Sequence, residues 1–238
     1  GVVTNDQAFG LVDTMSLRGQ GLHVDEVPGA CFCCKFDELV ATVDRLGQDR
    51  QPDVIIAEPV GSCTDLVATV IEPLRHIHGN EYAVSPLTVL LKPEHGQKIL
   101  RGDSGRGFSP QAAYIFLKQL EEAETIVLNK SDKLSEDQRA ELVGLLQVRF
   151  PGRDVIIHSS RTGEGFDKLM LAICKERVAS PPPLEIDYDV YAAGEAELGW
   201  LNATGHIRKF TADVPSLGDV ACHYVTSIAA RFNVVKAE

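Results

Sequence analysis

Three of the six cysteines fall within four positions, Cys31-Phe32-Cys33-Cys34, just after Pro28-Gly29-Ala30. Thiolates are soft ligands, and three from one turn can surround a single Zn²⁺ or Cu(I) ion. Three is one short of a closed tetrahedral zinc site. Cys63, His23 and Glu58 are candidates for the fourth ligand, alongside a water or a group from a second protein. Cys63 lies two residues past Gly61, close enough in sequence to join the cluster. Two other readings are a Cys33–Cys34 dithiol redox pair and plain packing. Six cysteines in 238 residues are too few for a disulfide framework. They point to a reducing compartment, the cytoplasm.

Four polar clusters each follow a short apolar run. Thr4-Asn5-Asp6 follows Val2-Val3, and Glu58-Pro59-Val60-Gly61 follows Val54-Ile55-Ile56-Ala57. Asn129-Lys130-Ser131-Asp132 follows Ile126-Val127-Leu128, and Ser159-Ser160-Arg161 comes soon after Val155-Ile156-Ile157. A fifth run, Leu87 to Leu91, ends in Lys92-Pro93. Unbroken Val/Ile-rich runs fit strands buried on both faces, as in a parallel sheet. Between them lie helical patterns at Asp37 to Leu46, Ser109-Pro110 to about Ala123, and Phe166 to about Val178. Ser135 with Gln138 forms a capping-box pattern before a further helix that stops at Pro151-Gly152. Strand and helix in alternation predict an α/β fold with a doubly wound, mostly parallel sheet. In such sheets ligands gather beyond the carboxyl ends of the strands, where all four clusters sit.

Ser180-Pro181-Pro182-Pro183 marks a linker, placed over residues 179–185, between a domain at 1–178 and part of a small α+β domain at 186–238. There Ile186 to Tyr191 alternates as a half-exposed strand does. Trp200 to Phe210 reads as a second strand and Asp219 to Phe232 as a helix.

The motifs carry a resemblance. Asn129-Lys130-Ser131-Asp132 resembles the guanine-specificity motif NKxD of GTPases. A carboxylate there accepts from the guanine N1–H and 2-amino group, which adenine does not offer; the Lys stem lies along the base, and Asn ties the loop. Ser159 to Gly165 resembles the SAxTGEG loop that also touches the base, and Glu58-Pro59-Val60-Gly61 resembles the Walker B and switch II segment. In this order, with the Cys motif ahead, the chain resembles the CobW-type metallochaperone GTPases, relatives of the hydrogenase- and urease-maturation GTPases, over about residues 1–178. The resemblance implies a P-loop GTPase fold that binds GTP and Mg²⁺ and carries Zn²⁺ or another transition metal. Asp6, Glu58 and Gly61 would be catalytic, acting on Mg²⁺, the attacking water and the γ-phosphate. Gly10 to Thr14 would be switch I, with Asp13 as a further candidate. Asn129, Lys130, Asp132, Ser159, Ser160 and Arg161 would hold the base, and Cys31, Cys33 and Cys34 the metal. It implies a metalloprotein client and a homodimer formed through the nucleotide face.

Two features depart from that family. Ala30 stands where it has a glycine before the first Cys, and no G-x-x-x-x-G-K-[ST] occurs in the 238 residues. That phosphate cradle belongs to an opening strand and turn, so the sequence reads as a GTPase domain lacking its first βα unit, with little hydrolysis of its own. Composition excludes other classes. Lys and Arg number 23 against 34 Asp and Glu, a formal charge of −11, which argues against a nucleic-acid binder. No uncharged stretch of ~20 apolar residues suggests a membrane span.

Overall fold

The computed structural model describes residues 1–8, 10–101, 109–175, 184–198 and 216–232. Its compact units are Gly1–Trp200 and Leu201–Glu238. In the first, β1 (Val2–Asp6) leads through α1 (Val12–Gly19) to β2 (Val24–Pro28), and α2 (Phe36–Arg50) leads on to β3 (Ile56–Glu58). A π-helical turn, Val67–Ile71, runs into α3 (Glu72–His78). Then come β4 (Thr88–Leu91), α4 (Pro93–Leu100), α5 (Pro110–Glu122) and β5 (Thr125–Leu128). A 3₁₀ turn at Ser131–Lys133, α6 (Glu136–Arg149), β6 (Asp154–Ile157), α7 (Phe166–Ile173) and α8 (Tyr188–Glu197) complete it. The second unit is described through α9 (Leu217–Phe232).

Among the described residues every strand pairing is parallel, and the strands form two sheets of three, ordered β2-β1-β3 and β4-β5-β6. The first sheet has β1 at its centre and the second runs in chain order, which is α/β architecture with helices flanking parallel strands. β5 is buried along its whole length, as its unbroken apolar run predicts. One core packs Val3, Val27 and Phe32 against Leu39 and Leu46 of α2. A second packs Ile126 and Leu128 against Leu120, Leu142 and Leu146 of α5 and α6, and a smaller third joins Val127, Ile156 and Ala172.

Local signals set the helix starts. The Ser109 hydroxyl accepts from Ala112 N at 3.0 Å. Ser135 and Gln138 make the predicted reciprocal box, at 3.3 and 3.0 Å. Two expectations need correction. The run Val54 to Ala57 is not a strand buried on both faces: β3 is short, pairs with β1 among the described residues and leaves Ile56 52% exposed. The segment Gly10 to Thr14 runs into α1, which begins at Val12. Ile186 to Tyr191 is not a strand. Asp187 caps a helix there, its Oδ1 accepting from Asp189 N and Val190 N at 3.0 and 3.1 Å, and α8 packs along α5. The 180–183 linker and the 200–210 segment lie outside the described residues. No helix among the described residues is long and apolar enough to cross a membrane.

Candidate nucleotide and metal site

The thiol turn is built around a core residue. Phe32 is 2% exposed and packs with Val3 and Val27, which turns its neighbours Cys31 and Cys33 toward the surface. Cys34 N and Lys35 N both donate to Cys31 O at 3.1 Å, closing the turn. Asn5, at the end of β1, pins it. Its amide donates to Val27 O at 2.6 Å and Ala30 O at 2.7 Å, and its Oδ1 accepts from Phe32 N at 3.1 Å.

The three Sγ atoms lie within 4.8 Å of one another. Cys31 Sγ is 2.8 Å from Cys33 Sγ and 3.3 Å from Cys34 Sγ. Sulfurs around one tetrahedral zinc at 2.3 Å would stand about 3.8 Å apart, so the closest pair, at 2.8 Å, would open by about 1 Å to hold an ion. All six cysteines are free thiols. Burial pushes the Cys33 thiol up to about 12, aided by its hydrogen bond with Cys31. Burial also raises Cys31, but its hydrogen bonds with Cys33 and Cys34 outweigh it and bring that thiol below its ordinary value.

Cys63 sits beside Cys31 but inside the core, 5% exposed, and burial drives its thiol up. It lies outside the 4.8 Å group, as do His23 and Glu58. Glu58 ends β3, where partial burial and the charge of Asp13 raise its carboxyl. Asp6 ends β1 and accepts from Gln7 N at 2.6 Å. The loop after β3 is gripped by α5. Gln119 donates to Gly61 O and Cys63 O, both at 2.9 Å, and the buried Glu122 accepts from Val67 N at 2.5 Å.

At the other sheet, Asn129 ties two loops together: its Oδ1 accepts from Lys130 N at 2.7 Å, Ser160 N at 3.1 Å and Ser160 Oγ at 3.2 Å. Ser159 Oγ donates to Asp132 Oδ1 at 2.6 Å. That bond, with the charges of Arg161 and Lys133, holds the Asp132 carboxyl below its ordinary value. Lys130 takes a left-handed backbone, φ 57°. Glu164 braces the pair: Oε2 accepts from Ser131 Oγ at 2.7 Å and Oε1 from Arg139 at 2.8 Å. Gly165 cannot carry a side chain, since a Cβ would lie 2.0 Å from Ile157 O. A cavity of about 310 Å³ brings Gly61 to Asn129, with Leu90, Lys92, His95 and Gln119 between them.

Sequence reasoning missed Asn5, Arg139, Gln119 and Glu122 as the residues that hold these loops. Asn5 stood inside a flagged cluster, and no local signal marks the others. It also missed α8, whose Tyr188, Tyr191 and Glu195 reach the loop after β3. Tyr188 OH donates to Asp65 Oδ2 at 2.7 Å.

Parallel strands wound by helices, with polar loops at their carboxyl ends and a thiol cluster on the same rim, define a nucleotide-binding α/β protein equipped to handle a metal. The sequence profile of the CobW/HypB/UreG nucleotide-binding domain matches residues 1–155, and the chain belongs to this family, whose members are GTPases. Among solved structures it is similar to HypB from Helicobacter pylori in complex with nickel, with 18% identity over 71% of this chain and 72% of that one and a TM-score of 0.47.

Proposed function

We propose that the chain is the nucleotide- and metal-binding part of a GTP-dependent metallochaperone. It holds a transition metal at Cys31, Cys33 and Cys34, and GTP hydrolysis drives delivery to a client metalloprotein. Asn129, Lys130 and Asp132, with Ser159, Ser160 and Arg161, select guanine. Asp6 and Glu58 would hold Mg²⁺ and position water, and the Gly61 N–H would meet the γ-phosphate. Zn²⁺ in the cytoplasm is the proposed cargo, and a homodimer pairing nucleotide faces the proposed assembly. Residues 186–238 are proposed to take part in reading the client.

One observation carries this reading. β1 ends in Asn5-Asp6, and Asn5 pins the thiol turn through three hydrogen bonds while Asp6 beside it is the proposed nucleotide-side carboxylate. The loop after β3 couples the two a second time, since Gly61 and Cys63 lie two residues apart and share the Gln119 amide. A change at the phosphate end therefore has a short path to the metal end. Such hydrolysis rests on positioning and charge neutralisation, with little covalent chemistry for the protein to do.

A non-hydrolysing guanine-nucleotide and metal-binding module is the second reading. A dithiol redox role for the Cys33–Cys34 pair is disfavoured, because Cys33 is pushed up to about 12 and Cys34 is also raised, which makes both poor attacking groups near neutral pH.

The test has two arms. Co²⁺ titration should show one equivalent bound, lost in the Cys31/Cys33/Cys34→Ser variant. Nucleotide competition should show GTP preferred over ATP, with Asp132→Asn reducing that preference. Equal Co²⁺ binding by the variant refutes the metal site, and equal GTP and ATP affinity refutes the base site. GTP turnover lost in Asp6→Ala with binding kept separates the first reading from the second.

A further inference from the structure

The cavity that joins Gly61 to Asn129 is lined by a lysine and, among the described residues, by no Asp or Glu. That is unusual in a chain with 34 acids against 23 Lys and Arg. The other polar groups of the lining are neutral or already engaged. Gln119 commits its amide nitrogen to Gly61 O and Cys63 O. Asn129 Oδ1 accepts three hydrogen bonds from its own two loops. Burial, then the Lys92 charge, holds His95 down to about 4, so its ring enters the cavity uncharged near neutral pH. Lys92 is left as the cation of the site.

The fold fixes it there. β4 ends at Leu91, opposite Leu128 of β5, and Asn129 N donates to Leu91 O at 3.0 Å. Lys92 therefore follows β4 where Asn129 follows β5, at the carboxyl ends of neighbouring strands. Buried Pro93 opens α4 directly behind it, and Lys92 O accepts from His95 N at 3.1 Å and Gly96 N at 3.0 Å. The backbone is tied down while the side chain is exposed. Glu94, the nearest acid in sequence, lies 4.0 Å from Lys133 instead, and no carboxylate pairs with Lys92 among the described residues.

Resting on the base-site reading above, we propose that Lys92 is a phosphate-binding residue of the nucleotide site, its ammonium meeting the polyphosphate chain. Asn129 and Gly61, the proposed base-loop and γ-phosphate contacts, both line the cavity, so the part of the ligand between them is ribose and phosphate. A volume of about 310 Å³ falls within the ~300–1,000 Å³ usual for ligand pockets. A lysine suits phosphate, being a compact point charge on a flexible stem that follows the oxygens as they shift. In a chain of charge −11, an unpaired cation at this rim also offsets the repulsion that an incoming polyanion meets.

The test is calorimetric titration of the full chain and its Lys92→Gln and Lys92→Arg variants with GTP, ATP, guanosine and inorganic tripolyphosphate. Lys92→Gln should weaken GTP and tripolyphosphate about 10- to 100-fold, the range for one hydrogen bond to a charged group, and leave guanosine within about 2-fold. Lys92→Arg should restore most of the affinity, because it keeps the charge. Unchanged GTP and tripolyphosphate affinity in Lys92→Gln overturns the proposal. Guanosine weakened as much as GTP overturns it too, since Lys92 then only shapes the Asn129 loop. A parent that binds neither GTP nor tripolyphosphate refutes it outright. Equal GTP and ATP affinity in the parent sinks the base-site reading alone, and Lys92→Gln weakening both nucleotides would still support the phosphate contact.

Discussion

Asn5 is the residue on which the thiol turn hangs, and its replacement has a calculable cost. The side chain is 8% exposed and makes three hydrogen bonds to the backbone, two donated and one accepted. A net contribution of ~0.5–1.5 kcal/mol for each bond predicts that Asn5→Ala destabilises the chain by about 2–4 kcal/mol. Asn5→Asp tests the geometry more sharply. It keeps the shape but replaces the donor with an acceptor oxygen, 2.6 and 2.7 Å from the carbonyl oxygens of Val27 and Ala30. It should cost at least as much as the alanine. Urea unfolding of the full chain measures both. Co²⁺ titration should show the affinity of the loosened turn falling ~10-fold or more, as when groups that orient ligands are lost. Midpoints within ~0.5 kcal/mol of the parent for both variants, the range of an ordinary surface change, would refute the assignment of Asn5 as the anchor.

Glu122→Gln should destabilise by about 1–3 kcal/mol in the same assay, because the buried acceptor of Val67 N is weakened. Gly165→Ala should cost ~2 kcal/mol or more and lower guanine-nucleotide affinity, since φ is +73° and the methyl meets Ile157 O. Burial, with Lys92 close by, holds His95 down to about 4 from 6.5. The folded state thus disfavours the imidazolium. The associated stability is present above pH 6.5 and is lost as pH falls from 6.5 toward 4. For this half-exposed ring that loss is about 1 kcal/mol after allowance for screening, and unfolding of His95→Phe over the same range should lack that part of the slope.

Much of the architecture was legible because its signals are local. The unbroken run Ile126-Val127-Leu128 reads as a strand covered on both faces, and β5 is one. Ser135 with Gln138 reads as a helix start for the same reason, since cap and helix are three residues apart. The Cys spacing likewise placed three thiols together, and Asn129 ties its loop as expected. What could not be read were contacts made across the fold. Gln119 and Glu122 look like ordinary polar positions on an amphipathic helix, and only the packing of α5 beside the β3 loop gives them a task. The alternation of Ile186 to Tyr191 was misleading because the cap at Asp187 and the surface of α5 outweigh a six-residue pattern.

The division of the strands into two sheets bears on how the chain behaves at concentration. Among the described residues β2, β3, β4 and β6 are terminal strands, and of these β3 and β4 leave Ile56 52% and Leu90 57% exposed. Terminal parallel strands carry unsatisfied main-chain donors and acceptors beside apolar side chains, which templates pairing with other extended chains. The charge of −11 opposes this by mutual repulsion between molecules. Added salt shortens the range of that repulsion to ~3 Å at 1 M and leaves the strand rims untouched. Colloidal stability thus depends on ionic strength through the balance between a long-range repulsion and two short adhesive rims.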